Sequence, residues 1–254
     1  MQFKDKVVLI TGAAGGIGIA AARQFAAEGA KLALVDLSMD ALKAAAADLP
    51  DALLLSANVA QEEDTKSYVE QTVAKFGRID VFFNNAGING DFKPITEQTI
   101  ENWQRVLNVN VIGAFLGLKY VLAVMQGQKS GVVVNTASNG GTLGAPNMSA
   151  YVASKHAMVG LNKTAALEAA PFGIRVNAVA PSGVDTAMIR SIESNAAKGH
   201  EDEVRKKFHE AVPLGRYATA DEIADLVLFL ASDKASFISG AYYRIDGGGA
   251  AMSA

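Results

Sequence analysis

Tyr151 and Lys155 stand four residues apart in Tyr151-Val152-Ala153-Ser154-Lys155. On a helix, positions i and i+4 lie on one face, one turn apart. A phenol at its ordinary pKa of about 10 is a weak base near neutrality. An ammonium held within a few ångströms favours the phenolate and lowers that value. The pair therefore offers a proton-exchanging group suited to general acid–base chemistry on an alcohol or a ketone. Chance and solvated helix faces also produce Tyr-x-x-x-Lys, so the pair takes its meaning from its company. That company is Ser138, thirteen residues upstream, and a glycine-rich turn near the start of the chain.

The elements that must position these residues alternate between short apolar runs and longer helical patterns. Strands are predicted at residues 7–10, 32–35, 53–55, 81–83, 132–135, 174–179 and 242–245. Between the first of them lie a helix over about 17–28, an alanine-rich helix to about 48 and a charged helix ending near 76. A long helix over 97–125 precedes the fifth strand. Near-continuous apolar strands joined through helices imply a parallel sheet covered on both faces. Gly29, Gly77 and Gly173 fall where helices should stop, as C-terminal capping glycines do. No linker or repeat interrupts the series, so residues 1–254 read as a single α/β domain. A charged excursion at 191–210 reads equally as a lid or as a solvated helical insertion.

The chain has 254 residues, half of them apolar, and a net charge of −3. A core of useful size is available. The charge gives no reason to expect nucleic acid or an anionic membrane as a partner. The absence of cysteine excludes disulfides, thiolate catalysis and cysteine metal sites. The histidines at 156, 200 and 209 form no ligand cluster, and no metal is expected. The opening residues run straight into a strand pattern, leaving no room for a signal peptide. No uninterrupted apolar run reaches the ~18 residues a bilayer span needs. A cytoplasmic protein is the expectation.

Thr11-Gly12-Ala13-Ala14-Gly15-Gly16-Ile17-Gly18 follows the first strand directly and opens the first helix. In that setting Gly12 permits a sharp turn, while Gly16, Ile17 and Gly18 begin a helix that can approach a pyrophosphate closely. The helix start offers unpaired N–H groups and a positive dipole end to that group. The spacing is Gly-x-x-x-Gly-x-Gly. Asp36 ends the second strand, 24 residues after Gly12. A carboxylate there can accept both hydroxyls of an adenosine ribose and would repel a 2′-phosphate. Leu37 and Ser38 follow it, and the turn carries no base, so NAD(H) is expected over NADP(H).

Taken together, these residues resemble the short-chain dehydrogenase/reductase family. The resemblance covers essentially the whole chain. Its motifs occur in order: the glycine turn, Asn84-Asn85-Ala86-Gly87, Asn110, Ser138, Tyr151-x-x-x-Lys155, and the stretch from Pro181 to Thr186. It implies a Rossmann-like, doubly wound parallel sheet of seven strands and a homotetramer. It implies that Asn85, Ala86 and Gly87 line the adenosine side, with Asn58 and Val59 beside the adenine. The family usually has aspartate at 58, and an asparagine oxygen can still accept from the adenine amino group. Asn110 would hold a water that links the lysine to solvent. Pro181, Gly183, Val184 and Thr186 would face the nicotinamide, with Ser182 replacing the glycine usually found there. Ser138 and Tyr151 would bind the substrate oxygen, with Tyr151 exchanging its proton. Lys155 would keep the tyrosine acidic and hold the nicotinamide ribose.

Three loops should enclose the substrate, at 88–96, 139–149 and 184–212. They offer Ile88, Phe92, Leu143, Met148, Val184, Ala187, Met188 and Ile189. An apolar lining suits a neutral secondary alcohol or ketone, such as a cyclic one. A sugar such as glucose, an acyl-carrier-protein substrate, or a non-catalytic scaffold on the same fold are the alternatives. The helices around 110–125 and after Tyr151 are apolar on more faces than one sheet can cover. A self-complementary contact between subunits is therefore expected, with a second one through residues 245–249 and the tail beyond.

Overall fold

A computed structural model of the chain describes residues 1–251. Seven parallel strands form one sheet in the order β3-β2-β1-β4-β5-β6-β7. They are β1 (Val7–Thr11), β2 (Lys31–Asp36), β3 (Leu53–Ser56), β4 (Val81–Asn84), β5 (Gly131–Thr136), β6 (Ile174–Pro181) and β7 (Tyr242–Ile245). The chain runs outward from β1 to β3, then crosses back to β4 on the other side of β1. That reversal makes a crevice at the carboxyl ends of β1 and β4, where open α/β sheets take their ligands.

Both faces of the sheet are buried, which explains the near-continuous apolar strands. Successive residues of one strand serve opposite cores. Val8 and Ile10 face one core, together with α1 (Gly16–Ala27), α2 (Met39–Ala45) and α9 (Ala220–Ala231). Leu9 faces the other, with α3 (Glu62–Phe76), α5 (Ala114–Gln128) and α6 (Ser149–Ala169). The three predicted capping glycines stand just beyond helices with φ of +86°, +80° and +71°.

The structure changes three expectations. The long helix runs over Ile100–Gln128, not 97–125, and it is interrupted. It comprises α4 (Ile100–Leu107), a wide π turn (Asn108–Gly113) and α5. By length and composition this helix could cross a membrane, although half of its most apolar window is buried in the protein. A search for uninterrupted apolar runs does not see it, because polar residues punctuate it. The second change is α9, which the periodicity did not single out. Its start is fixed by a reciprocal cap, in which Thr219 Oγ1 accepts from Glu222 N and the Glu222 carboxylate accepts from Thr219 N. The third is the charged excursion, which is two helices, α7 (Ala187–Ala196) and α8 (Glu201–Glu210).

Candidate active site

The strand ends and the loops beyond them enclose a cleft of about 690 Å³. The glycine turn forms one end of its floor. An added Cβ at Gly12, where φ is +64°, would lie 2.9 Å from Ala86 Cα. A Cβ at Gly18 would collide with the Gly12 carbonyl oxygen, so α1 is seated on the turn that precedes it. Gly16 meets the Thr186 methyl across the cleft, where a Cβ would approach to 2.6 Å. Ile17 lines the cleft beside them. No acidic residue stands in the first turn of α1, and Gly15 caps it without a side chain. Its N–H groups therefore remain directed at an incoming anion.

Asp36 reaches back to this turn, its Oδ2 accepting from Ala14 N at 2.9 Å and its Oδ1 from Leu37 N at 2.8 Å. It does not cap α2; Ser38 does, accepting from Ala41 N. Asn58 and Val59 lie along the same end. Asn58 Oδ1 accepts from Ala60 N at 3.1 Å, which leaves one lone pair for a ligand. Gly113 of the π turn is pressed against Val59.

Asn85 ties three strand ends together. Its Nδ2 donates to the Thr11 carbonyl at 3.1 Å, and its Oδ1 accepts from Thr136 Oγ1 at 3.0 Å. Thr11 Oγ1 in turn accepts from Asn85 N and Ala86 N. Gly87 lies beside both Asn110 Oδ1 and Lys155 Nζ. Asn110 is buried in the π turn and grips Ile88 by both backbone groups, each at 2.8 Å. Its second N–H donates to Ser154 Oγ at 3.0 Å. Both side-chain donors are thus spent, so any bound water would use the remaining Oδ1 lone pair or the main chain. Gly18 and Asn110 stand behind the surface of the cleft; every other expected catalytic or cofactor-binding residue lines it.

Ser138 Oγ accepts from Gly140 N at 3.1 Å and donates to the Pro181 carbonyl at 3.4 Å. This hydroxyl therefore joins the end of β5 to the end of β6. Tyr151, on the first turn of α6, lines the same space as Ser138. Lys155 is buried; its Nζ donates to the Thr136 carbonyl at 2.8 Å and lies 5.6 Å from the centre of the Tyr151 ring.

The expectation of a net lowering of the Tyr151 pKa needs correction. Burial is the largest influence on the phenol and pushes its pKa above the ordinary value; the opposing pull comes from the Ser138 hydroxyl. Burial likewise pushes the Lys155 ammonium down to about 8. Desolvation penalises the charged form of each group, which favours the neutral phenol at Tyr151.

Beyond Tyr151 the cleft is walled by Met148, Ala187, Met188, Ile189, Ile192, Phe208, Val212 and Tyr217. Phe92 and Leu143 do not contribute, and Leu143 is exposed. Phe208 and Val212 fall within the expected 184–212 segment although they were not singled out, and the sequence reading missed Tyr217, which no motif marks. It also missed Glu193, buried behind this wall with Arg190, Arg205 and Tyr217. The only local signal was the i,i+3 pairing of Arg190 with Glu193.

A glycine turn at the switch point of a parallel seven-stranded sheet defines a Rossmann-like α/β protein. Residues 12–250 match a protein-family model described as Enoyl-(Acyl carrier protein) reductase. Levodione reductase from Leifsonia aquatica is 44% identical over 253 residues, 97% of this chain and 95% of that one. A crystal structure of levodione reductase, 44% identical, superposes with a TM-score of 0.96 over 99% of this chain and all of the other. Cyclohexanol dehydrogenase from Acinetobacter sp. (strain SE19) is 39% identical over 250 residues, 97% of this chain and 95% of that one. The crystal structure of an NAD+-bound xylitol dehydrogenase is 40% identical with a TM-score of 0.94, covering 98% of this chain and all of that one. The chain belongs to the short-chain dehydrogenase/reductase family of oxidoreductases.

Proposed function

We propose that this protein is an NAD(H)-dependent oxidoreductase interconverting a secondary, cyclic or otherwise hydrophobic alcohol and its ketone. The observation that carries this reading is the position of Tyr151, Ser138 and Lys155 between a glycine cradle and an apolar wall. The cradle suits a dinucleotide. A Cβ at Gly12 or Gly18 would drive the backbone apart, and one at Gly16 would collide with the Thr186 side chain, just where a pyrophosphate must come close. Bound there, the nicotinamide would supply or accept the hydride. Asn58, Val59 and Asp36 would hold the adenosine end, and Pro181, Gly183, Val184 and Thr186 the nicotinamide end.

The chain's own residues do the rest. Ser138 Oγ orients the substrate oxygen. Tyr151 as the phenol gives its proton to that oxygen in ketone reduction, and as the phenolate it takes the hydroxyl proton in alcohol oxidation. Lys155 stabilises the phenolate left behind. Asn110 holds the π turn and the chain at Ile88 against Ser154, and so fixes the base of the Tyr151–Lys155 helix. The apolar wall excludes water and admits a neutral ring more readily than a polyol.

The name of the family model favours acyl-carrier chemistry as a second reading. Asp36 and the compact apolar wall favour a small substrate and NAD(H), and the levodione reductase and cyclohexanol dehydrogenase relatives lend support. A screen following NADH at 340 nm decides. Cyclohexanol and related cyclic alcohols should be oxidised with NAD+. Turnover confined to acyl-carrier substrates or sugars would overturn the assignment.

We further infer that the chain acts as one functional unit and assembles as a homotetramer. Ile112, Phe115 and Leu167 remain exposed on α5, its preceding π turn and α6, as a helical contact between copies requires. The tail beyond Ala251, invoked for a second contact, lies outside the described residues. Light scattering that returned the mass of a monomer, 26.5 kDa, would end this inference.

A further inference from the structure

Behind the apolar wall lies a polar cluster that the proton-transfer chemistry does not use. Glu193 of α7 is buried, at 1% exposure. Its carboxylate accepts from Arg190 Nη1 at 2.8 and 3.0 Å, and from Arg205 Nε at 3.1 Å and Nη2 at 2.9 Å. The Tyr217 hydroxyl also donates to it, at 2.9 Å. Three donor side chains converge on the two oxygens. The guanidiniums and the phenol hold the carboxyl down at about 2, against the pull of burial. Arg190 is also paired with Asp185. The cluster therefore binds α7 to α8, and both to the segment that carries Tyr217.

Tyr217 has a second attachment. Its ring lies on Gly183, where an added Cβ would stand 2.5 Å from Cδ1. The adjoining backbone pairs with the same stretch: Ala218 N donates to the Gly183 carbonyl at 3.0 Å and Asp185 N to the Ala218 carbonyl at 2.9 Å. One aromatic side chain thus touches the loop assigned to the nicotinamide with its ring and Glu193 of α7 with its hydroxyl. The edge of His209 closes on the ring at 4.6 Å between centroids.

We propose that Glu193 and Tyr217 are positioning residues that set the size and closure of the substrate wall. They would do so by locking α7 and α8 against the 183–185 loop. The proposal rests on the reading of this cleft as an alcohol-oxidising site. The hydroxyl–carboxylate bond does the locking, while the ring maintains the loop. The two roles are therefore separable: Tyr217→Phe keeps the ring on Gly183 and releases only α7–α8.

The test compares the full-length protein with Tyr217→Phe and Glu193→Gln, using NAD+ with cyclohexanol as the probe and hydrogen exchange of the backbone as an independent readout. Loss of a bond to a buried carboxylate should lower kcat/KM for cyclohexanol about ten-fold, mainly through KM. NADH affinity, measured by its fluorescence, should stay within about two-fold for Tyr217→Phe. Exchange should quicken in 187–210 and not in the strands. Glu193→Gln, which keeps the shape and removes the charge, should quicken exchange in the same segment. Unchanged exchange in 187–210 in both variants would overturn the lock. So would a loss of kcat with KM preserved. Should the parent protein turn over no alcohol, the alcohol-dehydrogenase reading falls, and the exchange measurement still decides whether the lock exists.

Discussion

The cleft has two walls made in different ways. The strand-end wall is knitted through backbone: Thr11 with Asn85 and Ala86, Asn85 with the Thr11 carbonyl, Lys155 with the Thr136 carbonyl. The facing wall, α7 and α8, is held by charged side chains meeting on one buried carboxylate. The first depends on groups whose positions the sheet dictates. The second depends on long side chains that could pair in several ways. The comparison suggests a division of labour. The rigid side fixes the reacting atoms, and the adjustable side admits and encloses the substrate.

The sharpest way to break that contrast is at Tyr151. If the strand-end wall is preformed, Tyr151→Phe removes the proton-exchanging hydroxyl and leaves the ring in place. Turnover should fall by about 10²–10⁴-fold, the usual worth of a positioned acid or base. NADH affinity should be nearly unchanged, because the ring still fills its place. A variant with near-normal turnover would remove Tyr151 from the mechanism. A large loss of NADH binding would show that this wall is not preformed.

A second test asks what the rigid wall costs. Lys155 is buried, and its pKa falls from about 10.5 to about 8. Between those values the unfolded chain holds a proton that the folded one has released. Stability from this group therefore rises with pH through that window, and the burial penalty is at its full size below pH 8. That penalty is about 3 kcal/mol; the lost bond to the Thr136 carbonyl offsets about 1 kcal/mol of any relief. Lys155→Met should therefore be inactive yet more stable than the parent by about 2 kcal/mol at pH 7. The gap should narrow as pH approaches 10. Tyr151, raised by burial, contributes with the opposite sign only above about pH 10, so denaturant melts at pH 7 and 9.5 isolate the lysine. A variant less stable than the parent at both pH values would show that Lys155 is a structural asset.

The same contrast explains what could be read in the sequence. Gly12, Asp36, Asn85, Tyr151 and Lys155 act from strand ends or from one helix turn, where spacing fixes geometry. Each of them lines the cleft as expected. The existence of seven strands in a parallel sheet likewise follows from apolar runs that must be buried on both faces; their order appears only in the structure. The π turn escaped because its sequence is an ordinary apolar helix; the wide turn appears only once Asn110 finds Ile88 and Ser154. The direction of the Tyr151 shift was misjudged because spacing reports the nearness of Lys155, whereas desolvation depends on everything around it. Tyr217 and Glu193 escaped for a related reason. They are 24 residues apart, on segments that no periodicity brings together.

The smallest expected effect lies at the far end of the rigid wall, at Asp36. Its carboxylate already accepts from Ala14 N and Leu37 N, and a carboxylate has about four lone-pair sites. Two remain for the hydroxyls of an adenosine ribose, while a 2′-phosphate would meet like charge with no base in the turn to offset it. Asp36→Ala should weaken NAD+ and lower the NAD+/NADP+ ratio of kcat/KM by about ten-fold, equivalent to about 1.4 kcal/mol. Some of the loss will be shared by both cofactors, since Ala14 N loses its acceptor and the glycine turn loosens. The ratio removes that shared part and leaves the charge term. Raising the salt concentration should shrink the parent's discrimination only modestly, because the repelling groups would lie within one Debye length of each other. Steady-state kinetics with both cofactors settles the point: a parent protein that uses NADP+ as well as NAD+ would remove Asp36 from the selection.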